Sequence, residues 1–120
     1  MLERKLRSGD KTIIVDGARQ VGKSFIIRYV GSRLFDNFVE VNFYDDKVGR
    51  RLFEDVSTLE DFYLRLSTIE NAHLGNKQNT LVFLDEIQVY PQFLTMLKFL
   101  HDEGRFTYIA SGSQLGIALN

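Results

Sequence analysis

The amino-acid sequence predicts an α/β protein with a three-layer α/β/α fold and a mostly parallel sheet. The sequence has four short apolar runs, of which the second alternates in part, and continuous runs of this length are typical of strands buried on both faces. Three other segments repeat apolar residues every three or four positions, which is the period of a helix. Strand and helix alternate along the chain, and this order favours right-handed crossovers between parallel strands. A length of 120 residues corresponds to one domain.

The strands are predicted from the composition of the four apolar runs. The first run, "TIIVD" at Thr12–Asp16, is β-branched and followed by glycine, and the second, "FVEVNFY" at 38–44, is rich in strand formers. The third run, "TLVFLDE" at 80–86, and the fourth, "FTYIASG" at 106–112, are continuous apolar segments that end in polar residues. All four have the length of a strand in the interior of a parallel sheet.

The helices are predicted from periodicity and from capping residues. Apolar residues recur at helical spacing in three segments, which predict helices at 24–35, 59–74 and 93–103. Ser57 and Glu60 have the spacing of a capping box at the start of the second helix. In the third helix, Pro91 suits the first turn and Gly104 suits the C-terminal stop.

Composition excludes several classes of protein. The chain has no cysteine, which rules out disulfides and thiolate metal sites. Its formal net charge is −1, so a nucleic-acid partner is possible but has no support from charge. No apolar run approaches the roughly 20 residues that span a bilayer, and the first ten residues lack the apolar core of a secretory signal. A cytoplasmic protein without a membrane partner is therefore expected.

The segment "GARQVGKS" has the spacing G-x-x-x-x-G-K-[ST] of a phosphate-binding loop. Gly17 and Gly22 let the backbone curl so that successive N–H groups face an anion, and the following helix adds the positive end of its dipole. Lys23 would place its ammonium on the β- and γ-phosphates, and Ser24 would ligate Mg²⁺. A surface turn is the alternative, but a predicted strand precedes the motif and a predicted helix follows it. The predicted nucleotide-binding residues are Gly17, Ala18, Arg19, Gln20, Val21, Gly22, Lys23, Ser24 and Phe25.

Two further predicted strands end in residues that would complete such a site. After "LVFL", Asp85 can hold Mg²⁺ through water, and Glu86 can polarise the water that attacks the γ-phosphate. After "YIA", a hydroxyl of Ser111 or Ser113 could lie between the loop and that water, although serine and glycine after a strand are also typical of a simple turn. The sequence does not separate the two serines. The predicted catalytic residues are therefore Lys23, Glu86, Ser111 and Ser113.

Glu86 also bears on the class of reaction. Kinases of small molecules that carry this loop use the substrate hydroxyl as nucleophile and usually need no glutamate that activates water. A glutamate directly after Asp85 therefore favours hydrolysis. An additional strand between the strand before the loop and the acidic strand is also expected in the division of hydrolases that carries such a glutamate.

Taken together, these motifs resemble a known family. The words "IIVDGARQVGKS", "FVEVNF", "LVFLDEIQVYPQF" and "YIASGSQLGIAL" are similar to those of the N-terminal AAA-type P-loop ATPase domain of bacterial and archaeal ATP-binding proteins, and they run across nearly the whole chain. The resemblance implies a P-loop NTPase fold with five core strands in the spatial order 5-1-4-3-2. The site residues it implies are 17–24 for ATP, Ser24 and Asp85 for Mg²⁺, Glu86 for catalysis, and Ser111 or Ser113 as a sensor.

Proteins of this family usually continue beyond the fourth strand. Residues 1–120 are therefore expected to be an AAA-type ATPase domain that is truncated after that strand and belongs to a longer protein. If a fifth strand normally pairs with the first, the first strand becomes an apolar edge that invites pairing with another chain. Self-association, or contact with a C-terminal effector domain, is expected. An arginine that stabilises the transferred charge often comes from a neighbour, and Arg19 and Arg105 are the candidates within this chain.

Three functions are compatible with these residues. The leading hypothesis is Mg²⁺-dependent binding and hydrolysis of ATP. The alternatives are a nucleotide-gated switch, which binds ATP or ADP with little turnover, and a phosphotransferase. Other polar residues are less informative: Asp45 and Asp46 suggest a solvated turn, Gln88 could approach the γ-phosphate, and His73 and His101 suggest surface positions.

Overall fold

The computed structural model describes residues 12–16, 23–69 and 79–112, with the side chains of all of these except 13–16 and 23. Within this part of the chain, the strands are β1 (Thr12–Asp16), β2 (Asn37–Asn42), β3 (Thr80–Asp85) and β4 (Thr107–Gly112). They form one sheet in the order β1-β4-β3-β2, and every neighbouring pair is parallel. The predicted parallel sheet is confirmed, as is the relative order implied for the first four strands.

Helices follow each of the first three strands. They are α1 (Lys23–Leu34), α2 (Phe43–Val48), α3 (Leu59–Leu66) and α4 (Gln92–Glu103), and a 3₁₀ turn covers Ile87–Val89. The end of α4 is the one that the sequence predicts. Gly104 lies in the left-handed region at φ 69° and donates its N–H to the carbonyl of Leu100, an arrangement that favours glycine because it has no Cβ.

Alternate residues of the central strands face two separate hydrophobic cores. Leu81 and Phe83 of β3 share one core with Ile27 of α1. Val82 and Leu84 belong to the opposite core, which contains the buried residues of α2, α3 and α4. Every residue of β3 is buried. The sheet therefore lies between α1 and the other helices, which confirms the three-layer arrangement.

Phenylalanine rings join the three helices on the larger side of the sheet. The ring centroid of Phe93 in α4 lies 4.6 Å from that of Phe43 in α2 and 5.5 Å from that of Phe62 in α3. All three rings are fully buried. Tilted and edge-on pairs at such distances add to the stabilisation that burial of the rings already provides.

On the other side, α1 packs closely against the sheet. A Cβ at Gly31 would lie 2.7 Å from Cδ2 of Leu81 and 2.8 Å from Cδ1 of Phe38, so a larger residue would hold the helix away from the strands. Arg28 and Glu40 join α1 to β2 through two bonds, from Nε to Oε1 at 2.6 Å and from Nη2 to Oε2 at 2.8 Å. This hydrogen-bonded partner raises the pKa of the Arg28 guanidinium. Such a two-pronged contact fixes geometry as well as charge.

The second strand ends earlier than the sequence predicts. Phe43 and Tyr44 were expected to extend the strand, but β2 ends at Asn42 and α2 begins at Phe43. The side chain of Asn42 accepts a hydrogen bond from the N–H of Asp45 at 3.0 Å, which is the contact of a helix N-cap. The cap outweighs the strand propensity of the two aromatic residues.

The sequence suggests that Asp46 lies in a solvated turn. In the structure it lies in α2 instead, and its carboxylate holds the segment that follows this helix. Its Oδ1 accepts the N–H of Leu52 at 2.9 Å, and its Oδ2 accepts the N–H of Phe53 at 3.0 Å. The same Oδ2 accepts the hydroxyl of Tyr90 at 2.7 Å. One carboxylate thus connects α2, the following loop and Tyr90, the residue directly after the 3₁₀ turn.

The helix α3 begins at Leu59, as the sequence predicts, but its cap and its end differ from the prediction. Its cap is Thr58, whose hydroxyl accepts the N–H of Asp61 at 3.1 Å, rather than Ser57 with Glu60. The helix ends at Leu66, whereas the sequence predicts a helix to residue 74. Ser67 and Thr68 donate their hydroxyls to backbone carbonyls of the last turn at 2.6 and 2.7 Å, and such local bonds favour helix ends over helix interiors.

Two expectations concern partners and location. In the described sheet, β1 is an edge strand that pairs with β4 alone, and self-association through this edge stays a prediction. None of the described helices combines the length and the apolar character that a membrane crossing requires. The cytoplasmic location is likewise still a prediction.

Candidate functional site

The carboxyl ends of the parallel strands bring the candidate residues to one edge of the sheet. Asp16, the last residue of β1, is in register with Gly112 at the end of β4, and Asn42 at the end of β2 is in register with Asp85. The strand β4 lies between β1 and β3. This is the additional strand that the sequence predicts between the strand before the loop and the acidic strand.

Asp85 is held in a fixed orientation at this edge. It is 8% exposed, and its Oδ1 accepts the hydroxyl of Ser111 at 2.6 Å and the N–H of Glu86 at 2.9 Å. Its Oδ2 lies 3.4 Å from Nδ2 of Asn42, a longer and weaker contact. Hydrogen bonds from uncharged donors stabilise an ionised carboxylate. The strands β2, β3 and β4 each contribute one residue to this cluster.

The chain turns sharply directly after Asp85. Glu86 was expected to continue the strand, but it has φ 57° and ψ 46°, in the left-handed region, and starts the 3₁₀ turn. This conformation is uncommon for a residue with a Cβ and costs on the order of 1 kcal/mol or more. Glu86 is partly buried, and its Oε2 accepts a hydrogen bond from Nε2 of Gln88 at 2.6 Å.

The helix α1 begins at the same edge, because it follows β1 in the chain. β1 ends at Asp16, α1 begins at Lys23, and Ser24 is partly buried in its first turn. Phe25 is 69% exposed and its ring stacks on that of Tyr29 at 6.4 Å. Of the predicted site, Gly17, Ala18, Arg19, Gln20, Val21, Gly22, Ser113 and the side chain of Lys23 lie outside the described residues.

The oxygen donors of this edge fit a magnesium ion bound together with a phosphate. Mg²⁺ prefers oxygen ligands, and it usually takes one or two carboxylates while water and phosphate oxygens supply the rest. Asp85 provides a fixed carboxylate and Ser24 a hydroxyl in the first turn of α1. Within the part of the chain that the structure describes, no group of three or more His, Cys, Asp or Glu residues could form an all-protein metal site.

Two residues weighed from sequence lie away from this edge. Arg105 precedes the amino end of β4, where its Nε contacts Glu103 at 3.2 Å and its guanidinium lies 4.0 Å from the ring centroid of Tyr63. It is therefore not placed to stabilise charge beside Asp85 within this chain. His101, an exposed residue as expected, lies in the last turn of α4 with Nδ1 2.9 Å from the hydroxyl of Thr12.

A surface pocket of about 340 Å³ contains none of the predicted site residues. It lies between the start of α3 and α4, and its lining residues are Ser57, Leu59, Gln92, Thr95, Met96 and Phe99. Its walls carry no ionisable group, so it offers no acid, base or cation for phosphate chemistry.

Asn42 and Gly112 are residues of this edge that the sequence does not single out. Asn42 is the last residue of β2, which pairs with β3, and Gly112 is the last residue of β4, which pairs with β1. The signal that could have found them is the resemblance itself, because the implied strand order already puts the ends of these strands side by side.

A comparison with known families agrees with this geometry. The family model of the AAA domain matches residues 9–120, a range that includes every candidate site residue. No curated protein sequence matches the chain.

Proposed function

Because the chain belongs to the AAA domain family, we propose that it binds ATP with Mg²⁺ and hydrolyses it to ADP and phosphate. The observation that carries the proposal is the position of Asp85 and Glu86. They lie at the carboxyl end of β3, at the sheet edge where β1 ends and α1 begins. The family membership supports nucleotide binding, and the two acidic residues support hydrolysis.

The triphosphate is bound by the segment that joins β1 to α1. In this proposal, backbone N–H groups of the loop and the positive end of the α1 dipole would supply the contacts to the phosphate oxygens, and the ammonium of Lys23 would bind the β- and γ-phosphates. Phosphoryl transfer needs little covalent chemistry from the protein, so positioning and neutralisation of charge provide most of the catalysis. The residues proposed for nucleotide binding are Gly17, Ala18, Arg19, Gln20, Val21, Gly22, Lys23, Ser24 and Phe25.

Ser24 and Asp85 are the residues proposed to hold Mg²⁺. A magnesium ion held by these two residues would supply neutralisation of the phosphate charge. Asp85 is suited to this position because Ser111 and the N–H of Glu86 already orient its Oδ1. A serine hydroxyl has one proton to donate, and that of Ser111 is donated to Asp85. Ser111 therefore acts by orienting the carboxylate, and Ser113 remains the candidate for contact with the γ-phosphate.

Glu86 is the proposed general base. Its carboxylate accepts a proton from a water molecule as the water oxygen forms a bond to the γ-phosphorus. The bond between that phosphorus and the oxygen bridging to the β-phosphate breaks, and the electron pair stays on the oxygen of ADP. The proton then leaves Glu86 for solvent or for the released phosphate. Atoms and charge balance without any further reactant.

The experiment is a comparison of Glu86→Gln with the wild-type chain. Phosphate release at saturating Mg²⁺-ATP is expected to fall by about 100-fold or more, which is the lower range for loss of a general base. Binding of Mg²⁺-ATP, measured by calorimetry, is expected to persist because the phosphate-binding residues are intact. Glu60→Gln makes the same chemical change at an exposed position of α3, and it should leave both quantities unaltered.

Other outcomes identify the alternatives. ATP binding without phosphate release in either protein would indicate a nucleotide-gated switch. Phosphate transfer to an added acceptor that is unaffected by Glu86→Gln would indicate a phosphotransferase. An absence of heat on titration of Mg²⁺-ATP into folded protein would reject nucleotide binding itself.

A further inference from the structure

The side chain of Gln88 lies between Glu86 and the end of β4. Its Nε2 donates to Oε2 of Glu86 at 2.6 Å, a short bond to a carboxylate. On its other side, a Cβ added at Gly112 would collide with Oε1 of Gln88 and lie 3.2 Å from its Cδ. The amide therefore occupies space that only a glycine at position 112 leaves open.

The orientation of this amide is set by Glu86. Its Oε1 is buried and has no hydrogen-bond partner among the described residues. A buried acceptor without a donor is unfavourable, and such groups in folded proteins often have a functional explanation. Rotating the amide by half a turn would direct the oxygen at the carboxylate and lose the bond to Glu86. The free energy gained from the bond to the charged carboxylate is therefore larger than the cost of leaving Oε1 without a donor.

The position of Gly112 connects this contact to the phosphate-binding segment. Gly112 is buried, and it is in register with Asp16, the residue directly before Gly17. The amide of Gln88 thus touches the proposed base on one side and, on the other, the strand that separates the base from the start of the loop. Glu86 itself has the uncommon backbone conformation at φ 57°, which persists only where surrounding contacts hold it.

We infer that Gln88 is a positioning residue, which holds the carboxylate of Glu86 in place and is itself held by the space that Gly112 leaves. Its role in catalysis rests on the proposed function, because Glu86 is the base in that proposal. The close approach of the Gln88 side chain thus gives a reason for a glycine at position 112, where the sequence suggests a turn. Neither residue needs to contact the nucleotide.

The first test separates the turnover number from the apparent affinity. Gln88→Met keeps the length of the side chain and removes the donor, so kcat for ATP hydrolysis is expected to fall by about 10- to 100-fold, as for a misplaced catalytic group. KM is expected to change by less than about twofold, because ground-state binding is not involved. Gln88→Glu, which sets a second carboxylate against Glu86, should lower kcat further than Gln88→Met. An unaltered kcat in both variants would overturn the inference.

The second test uses the dependence of one residue on the other. Gly112→Ala is expected to lower kcat about as much as Gln88→Ala, because the added methyl group displaces the amide. In the Gln88→Ala background, the nearest atom of the described residues that remains beside this methyl group is the backbone nitrogen of Ile87 at 3.4 Å, an ordinary contact. Gly112→Ala should then lower kcat by less than about twofold. If Gly112→Ala lowers kcat by the same factor in the wild-type and in the Gln88→Ala background, then Gly112 does not act through the side chain of Gln88.

A third measurement does not depend on turnover. The resonances of the Gln88 side-chain amide protons in the two-dimensional ¹⁵N–¹H NMR spectrum should shift in Glu86→Ala and in Gly112→Ala, and stay in place in the control Glu60→Ala. If wild-type protein has no ATPase activity, the proposed function and the catalytic role of Gln88 both fail, whereas these shifts still establish the contact. If hydrolysis is present and the resonances do not respond to Glu86→Ala, the inference alone is rejected.

Discussion

At the scale of single residues, the bond between Ser111 and Asp85 is predicted to contribute to stability as well as to orient the carboxylate. Both residues are buried, and the hydroxyl is 2.6 Å from the carboxylate. We expect Ser111→Ala to lower the free energy of unfolding by about 2 kcal/mol, because a hydrogen bond to a buried charged group contributes roughly 1.5–3 kcal/mol. Urea denaturation measures this difference.

Ser67→Ala is the matched control for that prediction. The hydroxyl of Ser67 also makes a bond of 2.6 Å, to the carbonyl of Leu64, but this serine is exposed. Its replacement is expected to alter the free energy of unfolding by less than about 0.5 kcal/mol. Equal losses in the two variants would mean that burial beside Asp85 adds nothing to the bond.

Residue types near the site could be predicted from the sequence, whereas their partners could not. The phosphate-loop spacing and the acidic strand end are local patterns, so Ser24, Asp85 and Glu86 can be proposed as site residues without coordinates. The contact of Asp46 with Tyr90 spans 44 positions of the chain, and that of Ser111 with Asp85 spans 26. Such contacts depend on strand register and on side-chain direction, which no local pattern of residue types determines.

At the scale of secondary-structure elements, boundaries were harder to predict than the elements themselves. The four strands follow from short apolar runs and the helices α1, α3 and α4 from apolar periodicity, and the structure has all of them. The missed helix, α2, has two aromatic residues at its start, and these favour a strand by propensity. What ends β2 is a single cap from Asn42. A short helix that depends on one side-chain bond leaves no periodic signal.

Docking of α1 is the element-scale feature that we expect to be most sensitive to mutation. Exchange of glycine for alanine in a helix normally stabilises it by up to about 1 kcal/mol. At Gly31 the added methyl group would overlap the side chains of Leu81 and Phe38, and overpacking of a core costs about 1–3 kcal/mol. We therefore expect Gly31→Ala to destabilise the protein, with a lower midpoint in urea.

Ser32→Ala provides the comparison for Gly31→Ala on the same helix. Ser32 is exposed, so its replacement reports helix propensity without a packing change and should be neutral or slightly stabilising. Because Ser24 lies in the first turn of α1, a displaced helix should also weaken binding of Mg²⁺-ATP in Gly31→Ala. A higher urea midpoint in Gly31→Ala would contradict the prediction, because it would mean that the side chains of Leu81 and Phe38 move aside without loss of packing energy.

At the scale of the whole molecule, the sheet gathers distant parts of the sequence at one edge. Parallel strands are predicted by continuous apolar runs, but their order is not, because periodicity carries no information on which strands are neighbours. The order comes from the family resemblance, and the observed order β1-β4-β3-β2 agrees with it. Gln88 and Gly112 could be brought together only by that order, which is why the sequence alone treats them as unrelated.

The distribution of buried tyrosines predicts how stability depends on pH. Burial raises the pKa of Tyr90, with a further contribution from its hydrogen bond to Asp46. Burial likewise raises the pKa of Tyr108, which is fully buried in β4, and that of Tyr63. In the unfolded chain these hydroxyls ionise near pH 10. Above that pH the unfolded state therefore binds fewer protons than the folded state.

The sign of the effect follows from this difference. A raised pKa in the folded state contributes stability that is complete below about pH 10 and is lost as pH rises toward the folded-state value. Each such tyrosine can lower the free energy of unfolding by up to about 1.4 kcal/mol per pH unit in that range.

Urea midpoints measured between pH 8 and pH 11 should be steady at first and then fall. Tyr90→Phe and Tyr108→Phe should each make the fall less steep, whereas Tyr44→Phe, at an exposed position, should leave it unaltered. A slope that is the same in all three variants would mean that the hydroxyls of Tyr90 and Tyr108 do not control the alkaline transition.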